Sequence, residues 1–511
     1  MREVELTVGG LAVADVVAVA RHEAPATLGP EARAAMERSA RVVEALSDSA
    51  EPAYGVSTGF GSLALVPIPG PRREELQRAL VRSHAAGMGP AVEHEVVRGM
   101  MLLRARSLAM GWSGARPLVG EGLLALLNAG LTPVVPEHGS LGASGDLAPL
   151  AHCALALMGE GEVDCRDRSR RPAAEALASA GLEPITLGPK EGLALINGTD
   201  GILAMLVLAI ADLERLLQVA DIAAAMSVEA LLGTDRAFAQ ELIALRPQLG
   251  QADSAANLRA LLEHSEIVAS HRYGDPRVQD AYSLRCAPQV AGAARDTLAH
   301  ARRVADAELA AAIDNPMVLP DGRVESCGNF HGAPVGYACD FLAIAAADVG
   351  AIAERRTDRL LDQARSQGLP PFLAQDAGVN SGLMLAHYTQ AAMVAENRRL
   401  AAPASVDSVP TSAMQEDHVS MGWGAARKLR AVLANLTRIL AVEVTAAARA
   451  LDLRAPLRPA PGTAAALAMV RRRASGPGPD RYMAPELAAV AELVGSGKLL
   501  EAVEAAVGRL R

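Results

Sequence analysis

Aromatic residues make up only 3% of this 511-residue chain, and lysine occurs at just three positions, Lys190, Lys428 and Lys498. So few aromatics among abundant alanine, leucine and valine argue against a β-sandwich core and for helices that meet through small side chains. An excess of positive charge is also missing. The formal net charge is −9 at pH 7, which excludes a nucleic-acid groove as the main function. The one basic run, residues 471–473, precedes a Gly/Pro loop and reads as a solvated helix end. Cysteine is scarce: five residues, an odd number with no CxxC spacing. With no signal-like N-terminus, this excludes a disulfide framework and a zinc site and points to a reducing, cytoplasmic setting. Long hydrophobic runs are lacking as well. The most apolar stretch, residues 201–211, is followed by Asp212, Glu214 and Arg215, so it reads as a buried helix too short to cross a bilayer, with no membrane partner. The Asn197-Gly-Thr and Asn435-Leu-Thr sequons are then chance occurrences.

Half of the chain is apolar, enough for a large core, and the apolar residues recur with helical period. The pattern predicts helices over residues 30–46, 73–86 and 94–110, one long or two serial helices over 201–233, and further long helices over 290–312, 332–363, 381–402 and 419–451. Strands are expected only near residues 3–8 and 318–324. Gly476-Pro-Gly-Pro479 marks a loop before a last helix pair. No internal repeat or low-complexity linker interrupts the chain. The expected architecture is mainly α, a bundle of long helices in one domain, with an N-terminal part over 1–200 and the bundle with its C-terminal helices over 201–511.

One loop carries chemistry of its own, Gly139-Ser-Leu-Gly-Ala-Ser-Gly-Asp-Leu-Ala-Pro149. If the Gly145 amide nitrogen attacks the Ala143 carbonyl and two waters leave, Ser144 becomes a dehydroalanine inside a five-membered ring. The product, 4-methylidene-imidazol-5-one, is a strong electrophile made from the backbone, with no bound cofactor. Gly145 has no Cβ, so its nitrogen can reach a carbonyl two residues back. Ser144 supplies the hydroxyl that leaves, and Ala143 is small enough not to block closure. Gly139 and Gly142 let the loop bend, and Pro149 stiffens its exit.

Six other polar segments punctuate the helices: Tyr54-Gly-Val-Ser-Thr-Gly-Phe-Gly61, Ser83-His-Ala-Ala-Gly87, Asn197-Gly-Thr199, Val278-Gln-Asp-Ala-Tyr-Ser-Leu-Arg285, Cys327-Gly-Asn-Phe-His331 and Gln415-Glu-Asp-His418. Taken with the loop, in this order, they resemble the aromatic amino acid ammonia-lyases that use this electrophile. The resemblance runs from about Tyr54 to residues 480–485. It implies the helical ammonia-lyase fold of the fumarase–aspartase-like type, assembled as a homotetramer. Each active site is then built from three chains, with the Tyr54 loop contributed by a neighbour.

Eliminating ammonia from an α-amino acid means removing a weakly acidic β-proton and expelling a poor leaving group. By the resemblance, Tyr54 is the base or a proton relay. A phenol that ordinarily titrates near 10 is a poor base at neutral pH, so its site must favour the phenolate. Arg285 clamps the substrate carboxylate through a bidentate fork. Gln279 and Tyr282 line the electrophile and the substrate head, and the spacing lets them share a helical face or turn with Arg285. Asn197 bonds the amino group or the ring carbonyl, and Phe330 walls the pocket. His84 and Glu416 decide the substrate. Relatives acting on phenylalanine or tyrosine typically carry Phe-Leu or His-Leu where this chain has Ser83-His84. An imidazole and a carboxylate suit a polar, titratable ring and would waste desolvation energy on a phenyl ring. The implied reaction converts L-histidine to trans-urocanate and ammonia, the first step of histidine degradation. Two positions depart from the family pattern: Asp200 stands where Gln is common, and Met414 where Asn is frequent. Both bear on fine specificity and rate.

The alternatives are a tyrosine or phenylalanine ammonia-lyase, a 2,3-aminomutase of the same family that re-adds ammonia at the β-carbon, and a catalytically silent helical scaffold. A pyridoxal-dependent lyase needs a Schiff-base lysine. Lys190, in Gly-Pro-Lys-Glu-Gly, is the nearest candidate and lacks a phosphate-binding loop beside it. A fumarase-like lyase needs its own Ser-rich catalytic loop, and none is evident.

Overall fold

The computed structural model describes residues 3–47, 57–59 and 66–511. It is mainly helical, and the long helices fall where the apolar period puts them. They span Pro30–Ser47, Arg73–His84, His94–Ala109, Asp200–Ala230, Ala287–Leu309, Ala333–Leu361, Met384–Leu400 and Gly422–Leu453, each end within three residues of expectation. The segment over 201–233 is one continuous helix, not two. Its length corrects the reading of residues 201–211 as an isolated short run: by length and composition it is long and apolar enough to cross a membrane, as are the helices over 333–361 and 422–453. The apolar window of the first is wholly buried within the protein, so packing of the chain on itself accounts for its composition. The last helix pair is Ala484–Ser496 and Lys498–Val507, joined at Gly497 with φ of 83°, a left-handed stop that glycine takes without strain.

The chain forms two compact units, each drawn from three stretches of sequence. The first comprises Met1–Leu208, Ala301–Asp340 and Pro403–Arg427. At its centre lies helix His94–Ala109, buried continuously from Val96 to Ala109. Three arginines sit inside it, which is costly unless every donor finds an acceptor. Arg98 donates to the Val19 and Leu127 carbonyls, Arg104 to that of Ile313 and Arg106 to that of Glu308. Each guanidinium thereby ties a remote segment to the central helix, although Arg104 Nε and Arg106 Nε find no hydrogen-bond partner among the described residues. Helix Pro117–Ala129 begins with Pro at its first turn and ends at Gly130 with φ of 72°, the two residues least costly at those positions.

Small sheets were more numerous than expected. Val4–Leu6 pairs in parallel with Ala26–Leu28, and Met317–Val318 pairs with Val324–Glu325. Two further sheets were not anticipated: Met88–Ala91 with Pro136–His138, and Thr132–Pro133 with Glu162–Asp164 and Arg170–Pro172. These strands are two to four residues long and contain Gly and Pro, too short for a period-2 pattern to register. The 88–91 strand brings the end of helix Arg73–His84 beside the strand that enters the Ser144 loop.

The second unit comprises Ala209–His300, Phe341–Ala402 and Lys428–Arg511. Buried charge pins its helices together. Arg356 forks onto Glu443, whose carboxylate also accepts from the Ser227 hydroxyl at 2.8 Å. Asp221 accepts from Ser254, Asn257 and Arg295, so each oxygen has a partner.

Candidate active site

The Ser144 loop is held from both sides by backbone-scale contacts. Gly145 has φ of 77°, and a Cβ there would stand 2.1 Å from the Gly198 carbonyl oxygen. Gly142 has φ of 65°, and a Cβ there would meet the Ser420 hydroxyl at 2.2 Å. Only glycine fits either place. The Gly142 carbonyl accepts from Ser420 Oγ at 2.8 Å and from the Gly332 amide at 3.3 Å. On the other side the Asp146 amide donates to the Gly198 carbonyl at 2.7 Å. The Asp146 carboxylate is buried and accepts from Ser140 Oγ and from the Gly201 and Ile202 amides at 2.8–2.9 Å. It therefore caps helix Asp200–Ala230 while fixing the loop's exit. Burial, with Asp200 nearby, pushes this carboxyl up to about 7 against the pull of its three donors.

Ser144 opens onto a cavity of about 590 Å³. Four of the expected site residues line it together: His84, Ser144, Asn197 and Glu416. Ser144 Oγ donates to Glu416 Oε1 at 3.2 Å, and Glu416 Oε2 accepts from Thr411 Oγ1 at 3.0 Å. A Thr411–Glu416 backbone bridge presents the carboxylate. His84 ends its helix with Nδ1 2.9 Å from the Leu80 carbonyl. A carbonyl can only accept, so Nδ1 carries the proton and Nε2 is left with its lone pair. Burial holds this imidazole below its usual pKa despite the Leu80 bond and the Glu416 charge, which keeps it neutral. Asn197 Nδ2 donates to the Asn315 carbonyl at 2.8 Å, while its buried Oδ1 has no partner among the described residues. A buried acceptor without a donor is costly, and this one belongs to a cavity-lining side chain.

Tyr54 lies outside the described residues. Phe330 is half-buried in the same unit and is not among the cavity's lining residues. Asn315 and Ser420 were missed. Neither stands in a motif, and nothing in local sequence marks a residue that acts across more than a hundred positions. Asp200 does not reach the cavity: it is buried 3.3 Å from Arg104 beneath Gly198. Met414 is exposed and also stands outside the lining. Lys190 is fully buried, with Nζ 2.7 Å from Asp314 and 2.9 Å from the Ser113 carbonyl. A lysine so engaged cannot serve as a Schiff-base amine.

The second unit gathers Gln279, Tyr282 and Arg285 around a cavity of about 460 Å³. Only Tyr282 and Arg285 share a helix, the four-residue Tyr282–Arg285. Gln279 precedes it in a bend, contrary to the shared face that spacing allowed. The cause is Asp280, whose carboxylate accepts from the Thr234 amide at 2.7 Å and from Arg277, drawing the segment away from helical geometry. Arg285 lies 4.6 Å over the Tyr282 ring, and its buried Nε has no partner among the described residues. A stacked, unpaired guanidinium of this kind is ready to fork onto a carboxylate.

Comparison with known proteins shows the family. The family model for aromatic amino acid lyase matches residues 11–472. A histidine ammonia-lyase of Streptomyces avermitilis is 60% identical over 511 residues, covering the whole of both chains. Among solved structures, a tyrosine aminomutase of Streptomyces globisporus superposes with a TM-score of 0.95 at 40% identity over the whole of both chains. Histidine ammonia-lyase of Trypanosoma cruzi gives 0.91 at 39% identity, covering 99% of this chain and 96% of that one. The chain belongs to the aromatic amino acid lyase family.

Proposed function

We propose that this protein deaminates L-histidine to trans-urocanate and ammonia, the first step of histidine degradation. The observation that carries the reading is the cavity where Ser144 meets Glu416, with His84 and the unpartnered Asn197 Oδ1 in the same wall. The residues fit a methylidene-imidazolone made from Ala143, Ser144 and Gly145. In that closure the Gly145 N–Ala143 C bond forms and the Ala143 oxygen leaves as one water. The Ser144 hydroxyl leaves with its Cα proton as the second, so no oxidant or reductant is needed. Once present, the group supplies an electrophile that turns the substrate amine into a leaving group.

The chain's own residues do the rest. Asn197 Oδ1 accepts a hydrogen bond from the substrate amine. His84 Nε2 and the Glu416 carboxylate hold the imidazole ring, an arrangement that a phenyl side chain could not repay. Tyr54 takes the β-proton, with Tyr282 as a second proton-handling group. Gln279 orients the substrate head, Arg285 fixes its carboxylate, and Phe330 closes the pocket. The family relative at 60% identity, which is named for histidine, supports the substrate. The whole chain acts as one ammonia-lyase domain in the cytoplasm.

Neither unit by itself carries the full set of site residues. We propose that copies associate as a homotetramer whose active sites are shared between three chains. Exposed Tyr282, Phe341 and Ile344 supply apolar surface for that association.

A second reading, a 2,3-aminomutase, is favoured by the tyrosine aminomutase neighbour. One experiment separates them: purified protein is given L-histidine, L-tyrosine and L-phenylalanine, and ammonia and β-amino acids are both measured. Ammonia from histidine alone supports the proposal. A β-amino acid product, or release from another substrate, overturns it.

A further inference from the structure

The cavity of the second unit is lined by four arginines: Arg277, Arg285, Arg359 and Arg365. Two are already neutralised. Arg277 is bound by Asp275 at 2.6 Å and by Asp280 at 3.3 Å. Arg365 is bound by Asp358 at 3.0 Å and by Asp362 at 2.5 Å. The other two are not. Arg285 has only the face of Tyr282, and Arg359 has no hydrogen bond or ion pair among the described residues. The carboxylates that face Arg359, namely Asp280, Asp358 and Asp362, are the same ones committed to Arg277 and Arg365. Arg359 stands in the last turn of helix Ala333–Leu361, where a cation also gains from the helix dipole. That gain needs neither a guanidinium fork nor a cavity.

A carboxylate has two oxygens and about four acceptor sites. One guanidinium fork occupies one edge of it and leaves the outer lone pairs for a second donor. We propose that Arg359 is a further substrate-binding residue: with Arg285 it forms a two-guanidinium cradle around the substrate carboxylate. The proposal rests on the assignment of Arg285 as the carboxylate clamp. Because the carboxylate does not change charge in the elimination, Arg359 contributes equally to bound substrate and transition state, and so acts on KM rather than on kcat.

The test uses the full-length protein, R359L and R359K. Intact mass and melting temperature show that each variant folds and carries the same modification as the unsubstituted chain. The expected result for R359L is a KM for L-histidine raised about tenfold, with kcat within twofold. R359K should recover part of the loss, because an ammonium keeps the charge without the fork. A role confined to the helix dipole would move the melting temperature and leave KM alone. A KM within twofold of the unsubstituted enzyme overturns the proposal. If the unsubstituted protein does not act on L-histidine, the proposed reaction fails. The cradle is then judged by calorimetric binding of inorganic phosphate: about tenfold weaker binding in R359L upholds it, and unchanged binding overturns it.

Discussion

The two cavities use their polar groups in opposite ways. Around Ser144 the fixed elements are hydrogen-bonded within the chain: Gly142 between Ser420 and Gly332, Asp146 onto three donors, Gly145 against Gly198. Around Arg285 the important groups are left open: among the described residues two guanidiniums make no ion pair, beside two that have theirs. The contrast separates two tasks. A loop that reacts with itself must be held in a strained, glycine-only conformation by its own protein. A site that waits for an anion must withhold an internal partner, or the substrate would have to compete with it.

The sharpest way to break the comparison is S144A. It should abolish closure and lower turnover by at least about 10³-fold, because it removes the reacting group itself, and intact mass should show no loss of water. Next is R285L. Loss of a charge-assisted fork should raise KM about 30- to 100-fold, while the mass still shows the modified loop. E416Q keeps an acceptor for Ser144 but removes the charge. The expectation is a fall in kcat/KM for L-histidine of about 10²-fold, read by ammonia release, with the modification intact. The smallest effect concerns Asp146. Its pKa is raised by burial from 3.8 to about 7, so its stabilising contribution is whole below the lower value and is lost as pH rises through the upper one. Melting temperatures measured from pH 4 to 8 should therefore fall less steeply over that window in D146N than in the unsubstituted chain.

Much of this was legible in the sequence, for physical reasons. The long helices follow from apolar period, and Ser144, His84, Asn197 and Glu416 sit in short motifs at helix ends, which the fold then gathers at one cavity. What stayed hidden is what depends on distant partners. Ser420 clamps the loop from 278 residues away, and no local pattern encodes that distance. The bend at Gln279 follows from a side chain, Asp280, that seeks a remote amide in preference to the helix. The pairs that neutralise Arg277 and Arg365, and so set Arg285 and Arg359 apart, exist only in three dimensions.

The central claim is that the clamped loop converts itself into the electrophile. Its most direct test is the intact mass of the purified, folded chain, with peptide mapping across residues 139–149. The account predicts a loss of two waters localised to Ala143, Ser144 and Gly145. An unmodified mass in well-folded protein would contradict it and leave a helical scaffold without its electrophile.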